Sequence, residues 1–166
     1  ETNGLISGGI TTQALTVDDG TIGVSAANDL NTTTTGVVTA TITEGDMTTL
    51  ADLADKESGQ STDNAYTVTI TDTSVAAGAL NTLAGKTSVA VTGSSITTLT
   101  GTISDVNTAY ANTSGITGLG NEAVTISDTD NSSNGVSIAD LNTLDDYTTG
   151  TIDAVSYTHL RAHETR

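Results

Sequence analysis

The stretch Ser137-Ile138-Ala139-Asp140-Leu141-Asn142-Thr143-Leu144 sets a hydroxyl, two spacers and an acid ahead of apolar positions interleaved with Asn and Thr. A hydroxyl followed three residues later by an acid is a variant of the helix capping box, with Asp in place of Glu. The hydroxyl can accept from an early backbone amide, while the acid favours the positive end of the helix. Leu141 and Leu144 then fall at helical spacing and are expected to reach into a core. The phrase therefore predicts a helix start.

Aligned on its acid position, the phrase occurs five times: Asp29-Leu30, Asp46-Met47, Ala79-Leu80, Asp105-Val106 and Asp140-Leu141. The residues three places earlier are Ala26, Thr43, Ala76, Thr102 and Ser137, so three copies carry both hydroxyl and acid. Five short helices are expected. Gly36, Gly85, Gly115 and Gly150 lie near their ends, where a left-handed residue would stop them.

Strands are expected before and between the helices. Ala14 to Val17, Tyr66 to Thr71 and Ala123 to Ser127 alternate apolar and polar residues, as one buried face requires, and each runs on to an acid at Asp19, Asp72 or Asp128. Val37 to Ile42, Val89 to Thr92 and Thr151 to Val155 form a second set. Acid-position spacings of 17, 33, 26 and 35 alternate short and long, which suggests a true period of two coils. The polar segments 57–64 and 130–135 are consistent with insertions on one face.

Strand, helix, strand in succession requires parallel neighbours. The expected fold is an α/β solenoid, with short parallel β-strands alternating with short helices or helical turns. The alternative closure is a β-helix whose helices are only turns. Residues 1–13 read as an incomplete N-terminal coil, 14–155 as an array of about five to six strand–helix coils, and 156–166 as a tail foreign to the pattern.

Composition agrees with a thin, extended core. Of 166 residues, 35% are apolar; Phe, Trp, Cys and Pro are absent, and 37 are Thr. β-Branched side chains suit a pleated surface. Without Cys there is neither a disulfide nor a thiolate metal site. Four Lys/Arg against twenty Asp/Glu give a formal charge of −16, which would repel phosphate backbones and anionic lipid. Nucleic acid is not an expected partner, and no stretch is apolar for long enough to insert in a membrane.

Such acidity makes calcium the one cofactor to consider. Candidate ligands are Asp19, Asp72 and Asp128, which end successive strands, together with Asp130. The run Asp128-Thr129-Asp130-Asn131-Ser132-Ser133-Asn134-Gly135 sets oxygen ligands before a Gly, but no Glu closes it as in an EF-hand. The competing reading is of strand-ending turn residues that keep a sheet edge soluble. A β-helix enzyme acting on acidic polysaccharide would need a cation or paired carboxylates at the bond to be cleaved. Lys56 and Lys86 are the only cations before the tail, and Asp145-Asp146 point apart on a helix. No catalytic set is assigned, and the chain is not expected to be an enzyme. The sequons at Asn31, Asn112 and Asn131 arise readily by chance in so Thr-rich a chain.

Tyr157 to Arg166 hold both His and both Arg of the chain. This string resembles a translated sequencing-adapter read-through, which implies a break near Val155 or Ser156 and a natural protein that continues beyond it. His159 and His163 are too few for a zinc site.

The phrase at Ser137 to Leu144, led into by Ile116-Thr117-Gly118-Leu119-Gly120-Asn121-Glu122-Ala123-Val124-Thr125-Ile126, resembles the Thr/Ala/Asp-rich repeats of giant cell-surface proteins of marine cyanobacteria and related bacteria. The resemblance runs from about Ala14 to Val155. It implies an extracellular or cell-surface array whose partners are neighbouring repeats of the same chain and cell-surface polysaccharide. The functional expectation is a structural or adhesive module without catalysis. A calcium-dependent binding module and a β-helix carbohydrate-active enzyme are the alternatives.

Overall fold

A computed structural model of the chain describes residues 12–128 and 136–154. The chain alternates strands and helices: β1 (Leu15–Ile22), α1 (Val24–Thr33), β2 (Val38–Ile42), α2 (Met47–Leu50), β3 (Ala65–Thr67), β4 (Ser74–Ala76), α3 (Ala77–Ala84). It continues through β5 (Val91–Thr92), β6 (Thr98–Gly101), α4 (Ile103–Ala111), β7 (Ile116–Thr117), β8 (Ala123–Ile126), α5 (Ile138–Asp145) and β9 (Ile152–Ala154). Each helix closes a unit, so α1 to α5 end units 1 to 5.

Among the described residues strand pairing is parallel, and every pair joins strands of adjacent units. The sheets run β1-β2-β3, β4-β6-β8-β9 and β5-β7. An isolated parallel bridge from Thr69 to Thr92 links the first sheet to the third. Paired residues lie from 20 positions apart, as Thr21 with Thr41, to 28 apart, as Val124 with Ile152. The repeat is thus a single unit, and the expected two-coil period is corrected. The long acid-position spacings span the segments 57–64 and 130–135, while β4, β6 and β7, two to four residues long, are not among the expected strands. From unit 3 on, each unit supplies two strands to two different sheets, as well as one helix.

Local sequence accounts for the elements. β2 alternates buried Val38, Ala40 and Ile42 with exposed Thr39 and Thr41, the period-2 pattern of a sheet with one dry face. Ala40 lies opposite Tyr66, which is fully buried; the small side chain leaves room for the ring in a close-packed interior. In α4, Ile103, Val106, Ala109 and Tyr110 form one buried face. The core runs without a break from Val24 in unit 1 to Leu144 in unit 5.

Capping follows the expectation in two copies. Thr102 Oγ1 accepts from the Asp105 amide at 3.1 Å and donates to the Asp105 carboxylate at 2.9 Å. Ser137 and Asp140 repeat the arrangement at 3.1 and 2.7 Å. Asp46 departs from it. It is the N-cap of α2, accepting from the Thr49 amide at 2.8 Å, so the copy aligned on Thr43 is shifted by three residues. The same slip affects α1, whose cap is Gly23 rather than Ala26. Leu144 is fully buried as expected, whereas Leu141 is only partly so.

The helix-ending glycines are a further correction. Gly36, Gly85, Gly115 and Gly150 are all absent from the glycines with positive φ, and Gly85 has φ −75°. Two of them are needed for close approach instead. A Cβ on Gly36 would collide with the Gln13 carbonyl, and one on Gly150 with the Glu122 carbonyl. At both sites Thr, two residues earlier, binds the unit before it. Thr34 donates to the Gln13 carbonyl and accepts from the Gly36 amide at 2.8 Å. Thr148 donates to the Glu122 carbonyl at 2.9 Å and accepts from the Gly150 amide at 3.0 Å.

Segment 57–64 is not a plain surface insertion. Gln60 and Asn64 are buried. Asn64 Nδ2 donates to Asn31 Oδ1 at 2.7 Å, while its Oδ1 accepts from the Val38 amide and from Gln60, both at 2.9 Å. The fully buried Asn31 is thereby a core residue rather than an accessible sequon. Asn131 lies outside the described residues.

Candidate functional site

Of the four acids singled out as metal ligands, Asp72 and Asp128 occupy helix N-termini, each in a unit different from the helix it serves. Asp72 of unit 3 accepts from the amide of Met47, the first residue of α2 in unit 2, at 2.7 Å. Asp128 of unit 5 accepts from the amide of Ile103, the first residue of α4 in unit 4, at 2.6 Å. A third member escaped the sequence reading: Glu44 of unit 2 accepts from the Val24 amide of α1 at 3.1 Å. The first amides of a helix have no partner within it, and they attract negative charge. Asp19 falls within β1, and Asp130 lies outside the described residues. Asp72 and Asp128 serve helices two units apart. Among the described residues, no three His, Cys, Asp or Glu side chains converge on a metal position.

On the helical side a second set of bonds crosses between units. Asn28 donates to the Asp52 carbonyl at 2.8 Å, Asn81 to the Asp105 carbonyl at 2.9 Å and Asn107 to the Asp140 carbonyl at 3.2 Å. Each Asn is the fifth residue after its helix N-cap, the position that Asn142 takes in α5. The Asn of the opening phrase therefore links to the next helix from Asn81 and Asn107, and to the chain just past α2 from Asn28.

Both body lysines are engaged. Lys86 Nζ donates to the carbonyls of Ala51 and Leu53 at 2.8 and 2.6 Å, just beyond α2, where a cation meets the negative end of that helix. Lys56 pairs with Asp63 at 3.0 Å on the surface.

A buried polar cluster closes unit 5. Glu122 is fully buried, and its Oε2 accepts from Tyr110 Oη at 2.8 Å, the Gly120 amide at 2.8 Å and the Asn121 amide at 3.2 Å. Burial raises the Tyr110 phenol well above its ordinary range, and it pushes that of Tyr66 up to about 12. Asp46 shifts the other way, held below the usual carboxylate range first by the Thr49 amide. Tyr110 stacks on Tyr147 with ring centroids 5.8 Å apart. Beside them lies an open groove of about 330 Å³, lined by Thr113, Gly118 and Leu119 as well as both rings.

Glu44, Asp72, Asp128, Asn28, Asn81 and Asn107 thus bind one unit to another. No helix among the described residues is long and apolar enough to cross a membrane. Comparison with known proteins returns no matching family model, no matching curated protein and no matching solved structure.

Proposed function

We propose that this chain is a structural or adhesive repeat module of a large exported bacterial surface protein, built as an α/β solenoid and working without catalysis. The observation that carries this reading is the use of polar side chains. Glu44, Asp72 and Asp128 cap helices of the preceding unit, and Asn28, Asn81 and Asn107 bond to the following one. A chain whose units are joined by such side-chain bonds is suited to extension, since each unit only needs to meet its neighbours. Helices of eight to ten residues in units 1, 3, 4 and 5 favour the α/β solenoid over a β-helix with mere turns.

The outer surface fits an extracellular, hydrated setting. Asp29, Asp52, Asp55, Asp145 and Asp153 face solvent, as do Thr39, Thr41, Thr67 and Thr69 on the sheet. This surface keeps neighbouring arrays apart through like charge and offers hydroxyls to neutral cell-surface polysaccharide.

Antibodies against the chain should label intact cells of its source, and brief protease treatment of those cells should remove the label. Labelling only after permeabilisation would overturn the reading. So would release of reducing ends from polysaccharide by the purified chain.

A further inference from the structure

In units 1, 3 and 4, the helix positions that correspond to Ile138 and Leu141 of α5 are covered. The first helical residue is 3% exposed at Val24, 0% at Ala77 and 7% at Ile103. At Ile138 of α5 it is 78% exposed. The fourth residue is fully buried at Ala27, Leu80 and Val106, but Leu141 is only partly buried. Asn81 and Asn107 reach a carbonyl of the following helix and Asn28 one just past it, whereas Asn142 faces solvent. Three independent positions agree.

We infer that Ile138, Leu141 and Asn142 form a docking face for one more helix of the same phrase, carried by chain that follows β9. The inference rests on the repeat-array reading above and names the partner of its last described unit. Continuity with the existing interfaces selects this occupant. α5 already packs on α4, with Asn107 bonded to the Asp140 carbonyl, so its free face is the next member of the α3–α4–α5 series. β9 pairs in parallel with β8, which places the strand of the next unit where such a helix would start. Register gives the join: Gly101 pairs with Ile126, and Ile126 with Ala154. Ala154 thus matches Gly101, the residue just before Thr102, the N-cap of α4. Residues 155–164 hold no Leu-Asn-Thr phrase.

The occupant presents an apolar row to Ile138 and Leu141 and a backbone carbonyl to Asn142. A neighbouring copy of the whole chain fits less well, because each carries a net charge of −16 and the copies repel.

The test keeps the full chain and replaces Val155–Glu164 with a copy of Thr102–Ala111, residue for residue. Thermal unfolding is followed by circular dichroism, with and without Ile138→Asp. The grafted chain should melt roughly 5 °C or more above the original. Ile138→Asp should leave the original midpoint nearly unchanged and erase the gain in the graft. No rise in the graft, or a rise that survives Ile138→Asp, would overturn the inference. A midpoint of the original chain that climbs with protein concentration would also overturn it, by assigning the face to a second copy. Each of these failures leaves the cell-surface reading to be judged separately by the labelling experiment.

Discussion

Asp128 accepts a hydrogen bond from the amide of Ile103 at 2.6 Å, although the two residues belong to different units. The carboxylate ends one strand and caps the helix of the unit before it. Asp72 with Met47 and Glu44 with Val24 have the same relationship. Such a bond satisfies an orphan amide and also ties adjacent units in register. Asp128→Ala should therefore lower stability by about 0.5–2 kcal/mol, the range for a lost N-cap. Asp128→Asn, which retains an acceptor oxygen, should cost less. Chemical denaturation of both variants checks the order; equal losses would mean that charge rather than the acceptor matters.

Burial separates positions that look alike in the repeated phrase. Leu80 is fully buried, and Leu80→Ala should cost about 2–5 kcal/mol through lost transfer energy and a residual cavity. Ile138 is 78% exposed, and Ile138→Ala should stay within about 0.5 kcal/mol. Urea midpoints of the two variants measure the contrast.

Gly150 has no room for a side chain, because a Cβ would run into the Glu122 carbonyl. Gly150→Ala should cost about 1–3 kcal/mol, as overpacking does. Thr148→Val should also destabilise, by removing the hydroxyl that donates to the same carbonyl and accepts from the Gly150 amide. If Gly150→Ala melted with the parent, the backbones would have to be further apart than described.

Glu122→Gln keeps an oxygen acceptor for Tyr110 Oη and the amides of Gly120 and Asn121. Glu122→Leu leaves all three donors without that partner. Buried unsatisfied groups cost about 1–3 kcal/mol each, so the Leu variant should be much the less stable in a denaturant titration.

Tyr66 should make the fold sensitive to alkali. Its phenol sits at about 12 when folded, against an ordinary value of 10.0. The folded state therefore holds the proton more tightly, and this contribution is fully present below pH 10. It declines as pH rises from 10 toward 12, by up to about 1.4 kcal/mol per pH unit. Tyr110, raised in the same direction by burial, adds to the loss. Tyrosinate absorbance and circular dichroism followed together should show these phenols ionising as the chain unfolds.

Thr102 to Ala111 and Ser137 to Asp145 show how far local sequence reaches. Cap, acid and apolar spacing all lie within one turn or two, so both helices could be read directly. Val38 to Ile42 was equally legible, because a period of two needs only five residues to show. β7, with two residues, is too short for any alternation, and β4 and β6 are scarcely longer. Asp46 misled for another reason. An acid suits both the N-cap and the first turn, and only the bond from the Thr49 amide distinguishes them.

The chain by itself determined the five helices of the described residues, their parallel strands and the acidic, Thr-rich character of the surface, because these depend on neighbours in sequence and on composition. Tertiary structure alone decided what the acids and amides do. Asp128 meets Ile103, and Asn107 meets Asp140, only after parallel pairing brings distant residues to the same level. Register is a relationship between units, and a hydrogen bond a few ångströms long has no signature in the spacing of residues along the chain.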